Sequence, residues 1–269
     1  MKVVIFCGGL GVRMGEETQR IPKPMIRIGN RPILWHLMSW YAAWGHRDFI
    51  LCLGYKAEVI KEYFLAYNEM LVNDFVLESD GKSTHVELLE QDVGGWRITF
   101  ADTGVNATIG ERLKAVERYL GDDEEFLATY GDGLTDAPLG DLIDAFHRER
   151  KQAMLLSVRP EFHAHIVTAD ASGAVTGVEE MSQSSVRINA GFFVLKRQVI
   201  DLIGPGEELV VEAFARLIER DELLAYPYDG FFGPMDTIKD RQRLEALHES
   251  GKAPWRRPVR GVTASPDAS

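Results

Sequence analysis

Four charged side chains in this 269-residue chain stand in backbone stripped of bulk. Arg13 lies in Cys7-Gly8-Gly9-Leu10-Gly11-Val12-Arg13-Met14-Gly15, and Lys23 is held between Pro22 and Pro24. Asp132 is flanked by Gly131 and Gly133, and Asp236 follows Gly233-Pro234-Met235. Gly8, Gly9 and Gly11 let backbone N–H groups approach an anion closely, because no Cβ stands in the way. Arg13 and Lys23 add two cations to that loop, which together suit a triphosphate. Two sterically open carboxylates are the usual protein share of a Mg²⁺ site, the other ligands being waters and phosphate oxygens. Either aspartate alone could equally be a turn acid capping a helix. The pair, beside the glycine loop, points to metal. A triphosphate, Mg²⁺ and two cations suit attack at the α-phosphorus with pyrophosphate leaving, a reaction that needs positioning and charge neutralisation above all. A phosphomonoester would serve as nucleophile without a general base, since its second pKa of about 6 leaves it mostly dianionic at neutral pH. No His in the chain stands out as such a base.

The elements that must place these residues alternate. Val3–Phe6 reads as a buried strand running straight into the glycine loop. Helix signals follow from Pro32, with proline near the first turn. Strand Phe49–Leu53 and an amphipathic helix from Ala57 to Tyr67 come next. A β-rich excursion over Phe75–Phe100 precedes a helix at Gly110–Leu120 and a strand at Glu125–Tyr130. The second half reads as helix Asp141–Arg150, strand Ala153–Val158, a hairpin over Ile166–Val178 turning at Asp170–Gly173, strand Ala190–Leu195 and helix Val210–Arg220. Such alternation implies an α/β fold with a mostly parallel sheet covered on both faces, whose ligands gather at the carboxyl ends of the strands. We expect one domain over 1–255, with a β-rich insertion at 68–110, a segment at 160–190 facing the acceptor, and a disordered tail at 256–269. No internal repeat is visible.

Composition narrows the partners. A net charge of −11 argues against nucleic acid, because duplex binders need a positive surface. A few focused cations and a divalent metal still hold phosphates on an acidic protein. No apolar run approaches the roughly 20 residues of a membrane span, and no signal peptide is read at the N-terminus. Cys7 and Cys52 sit in apolar strand contexts, so a cytoplasmic protein without disulfides is expected.

The glycine loop with Pro22-Lys23-Pro24-Met25 resembles the signature of the sugar-1-phosphate nucleotidyltransferases, and most nearly the glucose-1-phosphate cytidylyltransferase branch. The resemblance runs over nearly the whole chain, through Pro32-Ile33-Leu34-Trp35-His36, Gly54-Tyr55-Lys56, Asp102-Thr103-Gly104, Gly110-Glu111-Arg112-Leu113-Lys114, Tyr130-Gly131-Asp132-Gly133, Asn189-Ala190-Gly191-Phe192-Phe193, Pro234-Met235-Asp236-Thr237 and Gly251-Lys252-Ala253-Pro254-Trp255. It implies a Rossmann-like α/β nucleotidyltransferase sandwich with a mixed, mostly parallel central sheet. It implies that Gly8, Gly9, Gly11 and Arg13 hold the nucleotide, that Lys23 meets the phosphates at the reacting centre, and that Asp132 and Asp236 hold Mg²⁺. It further implies that Arg112 reaches the nucleotide, of its own or of a neighbouring subunit, that Asn189 contacts the acceptor, that the donor is a nucleoside triphosphate with CTP favoured, and that copies of the chain associate as a homo-oligomer.

The departures from that family cluster on the acceptor side. Where the family carries Glu-Lys-Pro ahead of its Asn-Gly-Gly-Phe-Phe strand, this chain has Glu179-Glu180-Met181. An anion in place of that cation would cost roughly 4 kcal/mol beside a phosphate about 4 Å away at an effective dielectric of about 20. Either Glu180 points away, or Arg187 or Arg159 supplies the charge. His163-Ala164-His165 replaces an Arg-Phe-Gly-like segment; two His at this spacing share one strand face, for a sugar or phosphate contact or, less readily, a metal. Of a Trp-Glu-x-Glu-like motif only Glu212 survives, as an acceptor for a sugar hydroxyl. Val12 replaces a Thr. The acceptor therefore need not be plain glucose 1-phosphate; another hexose, a heptose or a cyclitol phosphate fits equally well, and the base preference stays open. A catalytically weak subunit that only binds nucleotide or sugar nucleotide is the competing reading. A Rossmann dinucleotide oxidoreductase is not supported, because the glycine spacing is wrong and Pro-Lys-Pro has no role in that fold.

Overall fold

A computed structural model describes residues 1–9, 21–89, 94–160, 164–181 and 184–256. Gly11, Val12, Arg13, His163 and the 257–269 tail lie outside the described residues. Fifteen strands are described. The first seven are β1 (Val3–Phe6), β2 (Arg27–Ile28), β3 (Arg31–Pro32), β4 (Asp48–Leu53), β5 (Phe75–Ser79), β6 (Thr84–Leu88) and β7 (Arg97–Asp102). Then come β8 (Glu125–Tyr130), β9 (Gly133–Thr135), β10 (Ala153–Val158), β11 (His165–Ala169), β12 (Val175–Glu180), β13 (Ile188–Lys196), β14 (Leu223–Tyr228) and β15 (Phe232–Pro234). The described α-helices are α1 (Ile33–Ala43), α2 (Ala57–Leu65), α3 (Ile109–Val116), α4 (Leu139–Glu149), α5 (Phe214–Glu219) and α6 (Ile238–Glu249).

Seven strands form the central sheet in the order β14-β10-β13-β8-β1-β4-β7. Within it β13 alone runs against its neighbours β10 and β8; the other pairs are parallel. The expected mixed, mostly parallel sheet is thus present. All four residues of β1 are buried, as an uninterrupted apolar run in a two-sided sheet requires. Val3 and Ile5 face a core built with α1, Ile60 of α2, Leu142 and Phe146 of α4, and Leu244 of α6. Val4 and Phe6 face a second core with Leu113 and Val116 of α3 and Phe214 and Leu217 of α5. Period-two alternation therefore assigns each residue of one strand to one of two cores.

Local chemistry sets the helix that matters most for the site. Thr108 accepts the Glu111 N–H while the Glu111 carboxylate accepts the Thr108 N–H, a reciprocal capping box that starts α3. The helix begins one residue earlier than expected and passes after Val116 into a single tighter turn at Glu117–Tyr119. The hairpin over 165–180 forms as expected, its turn closed by the Asp170 carboxylate accepting the N–H groups of Ser172 and Ala174. One expectation changes. Arg97–Asp102 is not part of the β-rich excursion; as β7 it pairs with β4 at the edge of the main sheet. An edge strand is half covered, so its alternation looks like that of a free hairpin. The excursion that remains, β5 paired with β6, presents Phe75 and Leu77 to solvent on one face.

The segment that carries Lys23 is braced by a buried histidine. His36 in α1 donates from Nε2 to the Ile28 carbonyl at 2.9 Å and accepts at Nδ1 from the Trp255 indole at 3.4 Å. Burial lowers its pKa from 6.5 to about 4. The folded form thus keeps His36 neutral at pH values where the unfolded chain would already be protonated. Stability from this group is full above pH 6.5 and is lost as pH falls towards about 4, by on the order of 3 kcal/mol. Urea midpoints measured from pH 7 to 4 should show that decline, and His36→Asn should flatten it. A midpoint of the wild-type protein that does not move over this range would contradict the assignment.

Candidate active site

The exits of β1, β4, β7 and β8 share one edge of the sheet because these strands are parallel. The reversed strand β13 brings its N-terminal residues, Ile188 and Asn189, to that same edge. A cleft of about 620 Å³ opens there. Its floor and one wall are Phe6, Cys7, Gly8, Gly9, Tyr130 and Gly131, and the facing wall is Ile188, Asn189, Ala190, Phe232 and Pro234.

Among the described residues three charged side chains meet in it. Lys23 sits in a short 3₁₀ turn after an extended Pro22, so two prolines aim its side chain. Its ammonium donates to Asp132 Oδ2 and to Asp236 Oδ1, both at 2.6 Å. Asp132 arrives on the exit of β8. Asp236 is over a hundred residues further along, and the antiparallel pair β9–β15 delivers it. Pro234 lies opposite Gly133, and the Met235 N–H donates to the Asp132 carbonyl at 2.9 Å. Burial works against the charge on Lys23, but the two carboxylates outweigh it and hold its pKa above the ordinary lysine value.

Two carboxylate oxygens that both touch one ammonium nitrogen can both touch one metal ion. A donor set of two carboxylates with room for phosphate oxygens is of the kind that suits Mg²⁺. No group of three or more potential protein ligands occurs among the described residues. Tyr130, beside Asp132, is pushed up to about 12 by burial and by Glu208 and Asp132, so its hydroxyl stays a donor. Burial raises the Cys7 thiol well above its usual range, which leaves it inert at the cleft floor.

The other expected site residues separate into two groups. Gly8, Gly9 and Asn189 line the cleft, and Asn189 Oδ1 also accepts the Gly191 N–H at 2.8 Å. Glu180, His165, Arg187, Glu212 and Arg112 do not line it. Glu180 and His165 sit opposite each other on the exposed β11–β12 hairpin. Arg187 donates to the carbonyls of Ser157 and Tyr228 and to the Asp229 carboxylate, which Arg159 shares. The two arginines considered as replacements for the family's lysine thus tie β10 and β14 together at their ends. Glu212 accepts the Glu208 N–H at 2.8 Å and caps its own helix start. Arg112 is buried against the Gly8 carbonyl. Tyr130, Ile109 and Phe232 line the cleft without having been singled out; Tyr130 precedes Gly131-Asp132 and Phe232 lies four residues before Asp236, so adjacency to the two acids was the available signal.

A strand-exit glycine loop, a clamped lysine and two converging carboxylates define a phosphate-handling α/β enzyme site. The chain belongs to the nucleotidyl transferase family, whose profile matches residues 2–231. It is 41% identical over 257 residues to the glucose-1-phosphate cytidylyltransferases of Salmonella typhi and of Salmonella typhimurium, a match covering 95% of this chain and 99% of each relative. The fold matches that of the UTP-bound UGPase from Acinetobacter baumannii with a TM-score of 0.66 at 17% identity, over 92% of each chain. The class expected from the sequence motifs, a sugar-1-phosphate nucleotidyltransferase, is borne out.

Proposed function

We propose that the protein transfers a cytidylyl group from CTP to a sugar 1-phosphate in a Mg²⁺-dependent reaction that releases pyrophosphate. The observation that carries this reading is the Lys23 ammonium clasped by Asp132 and Asp236 in front of the Gly8–Gly9 backbone. Cytidylyl transfer is favoured by the full-length similarity to the Salmonella enzymes. Asp132 and Asp236 would hold Mg²⁺, which supplies neutralisation of phosphate charge at the reacting centre. Gly8 and Gly9 offer backbone donors to the triphosphate. Lys23, aimed into the cleft beside the two carboxylates, would offer its ammonium to the phosphate oxygens. Asn189 and the apolar wall of Ile188, Ala190 and Phe232 orient the sugar. Among the described residues lining the cleft Lys23 is the one cation.

The test is a matrix of nucleoside triphosphates against sugar 1-phosphates with Mg²⁺, read by pyrophosphate release and product mass. A CDP-sugar is the expected product. If no combination turns over while Mg·CTP still binds, the transferase reading is lost and a binding subunit takes its place. The exposed apolar face of the β5–β6 ribbon suits association between copies of the chain, because an isolated two-stranded ribbon is only marginally stable in water. Light scattering that showed only monomer would remove this part of the reading.

A further inference from the structure

Arg112 is 3% exposed, yet among the described residues no carboxylate lies within ion-pair distance of it. Its guanidinium donates instead to four neutral acceptors. Nη1 reaches Thr103 Oγ1 at 2.7 Å and the Leu53 carbonyl at 3.3 Å. Nη2 reaches the Gly8 carbonyl at 3.2 Å and the Val105 carbonyl at 3.1 Å. Gly8 follows β1, Leu53 ends β4, and Thr103 and Val105 follow β7. One planar fork therefore joins the exits of three adjacent parallel strands. The glycines make room for it. A Cβ on Gly8 would lie 2.0 Å from Nη1, and one on Gly54 would lie 2.9 Å from it. The absence of a side chain at Gly8 thus serves the guanidinium below as well as any anion above.

A buried charge is costly unless it is paired. Burial pushes the Arg112 pKa down from the ordinary arginine value, with Glu208 and Asp102 acting only from farther away. The surface directly above, Gly8–Gly9, is the part of the cleft read here as taking the triphosphate. Resting on that reading, we propose that Arg112 is a positioning residue that locks the three strand exits so that the Gly8–Gly9 backbone keeps its phosphate-binding shape. The assignment differs from direct contact with the nucleotide. It also requires an arginine, because only a rigid fork of donors can serve acceptors on three strands at once.

Calorimetry of Mg·CTP binding tests this on the wild-type protein, Arg112→Lys and Arg112→Gln, with Thr103→Val as a milder variant should either fail to fold. Both Arg112 variants should bind Mg·CTP on the order of 10²-fold more weakly, the size of a loss caused by an ångström-scale misplacement. The KM for CTP should rise with them, while the KM for the sugar phosphate and the preference for CTP over UTP stay unchanged. Thr103→Val should weaken CTP binding by about tenfold, as expected for one hydrogen bond to a charged group. Wild-type affinity in Arg112→Lys, or a lower melting temperature with unchanged CTP affinity, would overturn the proposal. So would a collapse of base preference, which would put Arg112 on the base itself. A wild-type protein that binds no nucleoside triphosphate would instead sink the proposed function.

Discussion

Asp132→Asn is expected to lower kcat by on the order of 10²–10³-fold while leaving the fold intact. The substitution keeps the shape of the side chain and removes its charge. The contact that joins β8 to the 235 segment uses the Asp132 carbonyl, not its carboxylate, so it survives. What is lost is one of the two carboxylates that converge on a single cation. Asp236→Asn should behave alike. The double variant should be little worse than either single one, because groups that hold one ion act as a unit and their effects do not add. A calorimetric titration with Mn²⁺ should show weakened binding in each variant, independently of turnover. Full turnover by Asp132→Asn would show that the carboxylates do not hold the metal.

Lys23→Met should divide metal binding from catalysis. Turnover should fall by on the order of 10²–10³-fold, because a cation aimed at the reacting phosphates is gone. Metal affinity of the nucleotide-free protein should move the other way. In the structure the ammonium occupies the place between Asp132 and Asp236 that a divalent ion would need. An incoming ion must displace it or sit beside it. Removing the ammonium should therefore tighten Mn²⁺ binding by roughly ten- to hundredfold, once the repulsion of two cations about 3 Å apart is discounted for solvent screening. Lys23→Arg should not restore turnover, since a guanidinium aimed by the same two prolines presents a wide fork where a point charge is needed. Metal affinity that fell in Lys23→Met would show that Lys23 supports the metal instead of competing with it.

Much of the donor side could be read before folding was considered. The apolar run Val3–Phe6 reads as a buried strand, and the glycines after it place an open loop at its exit. Pro22 and Pro24 announce a stiff segment around Lys23. Thr108 and Glu111 carry their helix start in plain view. These signals are local: each depends on residues a few positions apart. Where the outcome depended on a distant neighbour, the reading shifted. β7 looked like part of the excursion because only its pairing with β4 distinguishes an edge strand from a hairpin. The capping role of Glu212 was hidden because it rests on the unusual turn at Leu209–Ala213. Arg187 and Arg159 looked available because Asp229 and the carbonyls that take them belong to other strands.

Chain order alone specifies which residues stand at strand exits and what each can do: glycines that admit an anion, a lysine between prolines, two unshielded aspartates. That is enough for the class of chemistry, since chemistry depends on residue type and on how open the backbone is. Convergence is another matter. Asp236 meets Asp132 only because β15 pairs with β9, and Asn189 enters the cleft only because β13 runs against its sheet. Lys23 then closes the pair from a third part of the chain. Pairings of this kind are chosen by the packing of both cores together. They leave no mark within a short window of sequence.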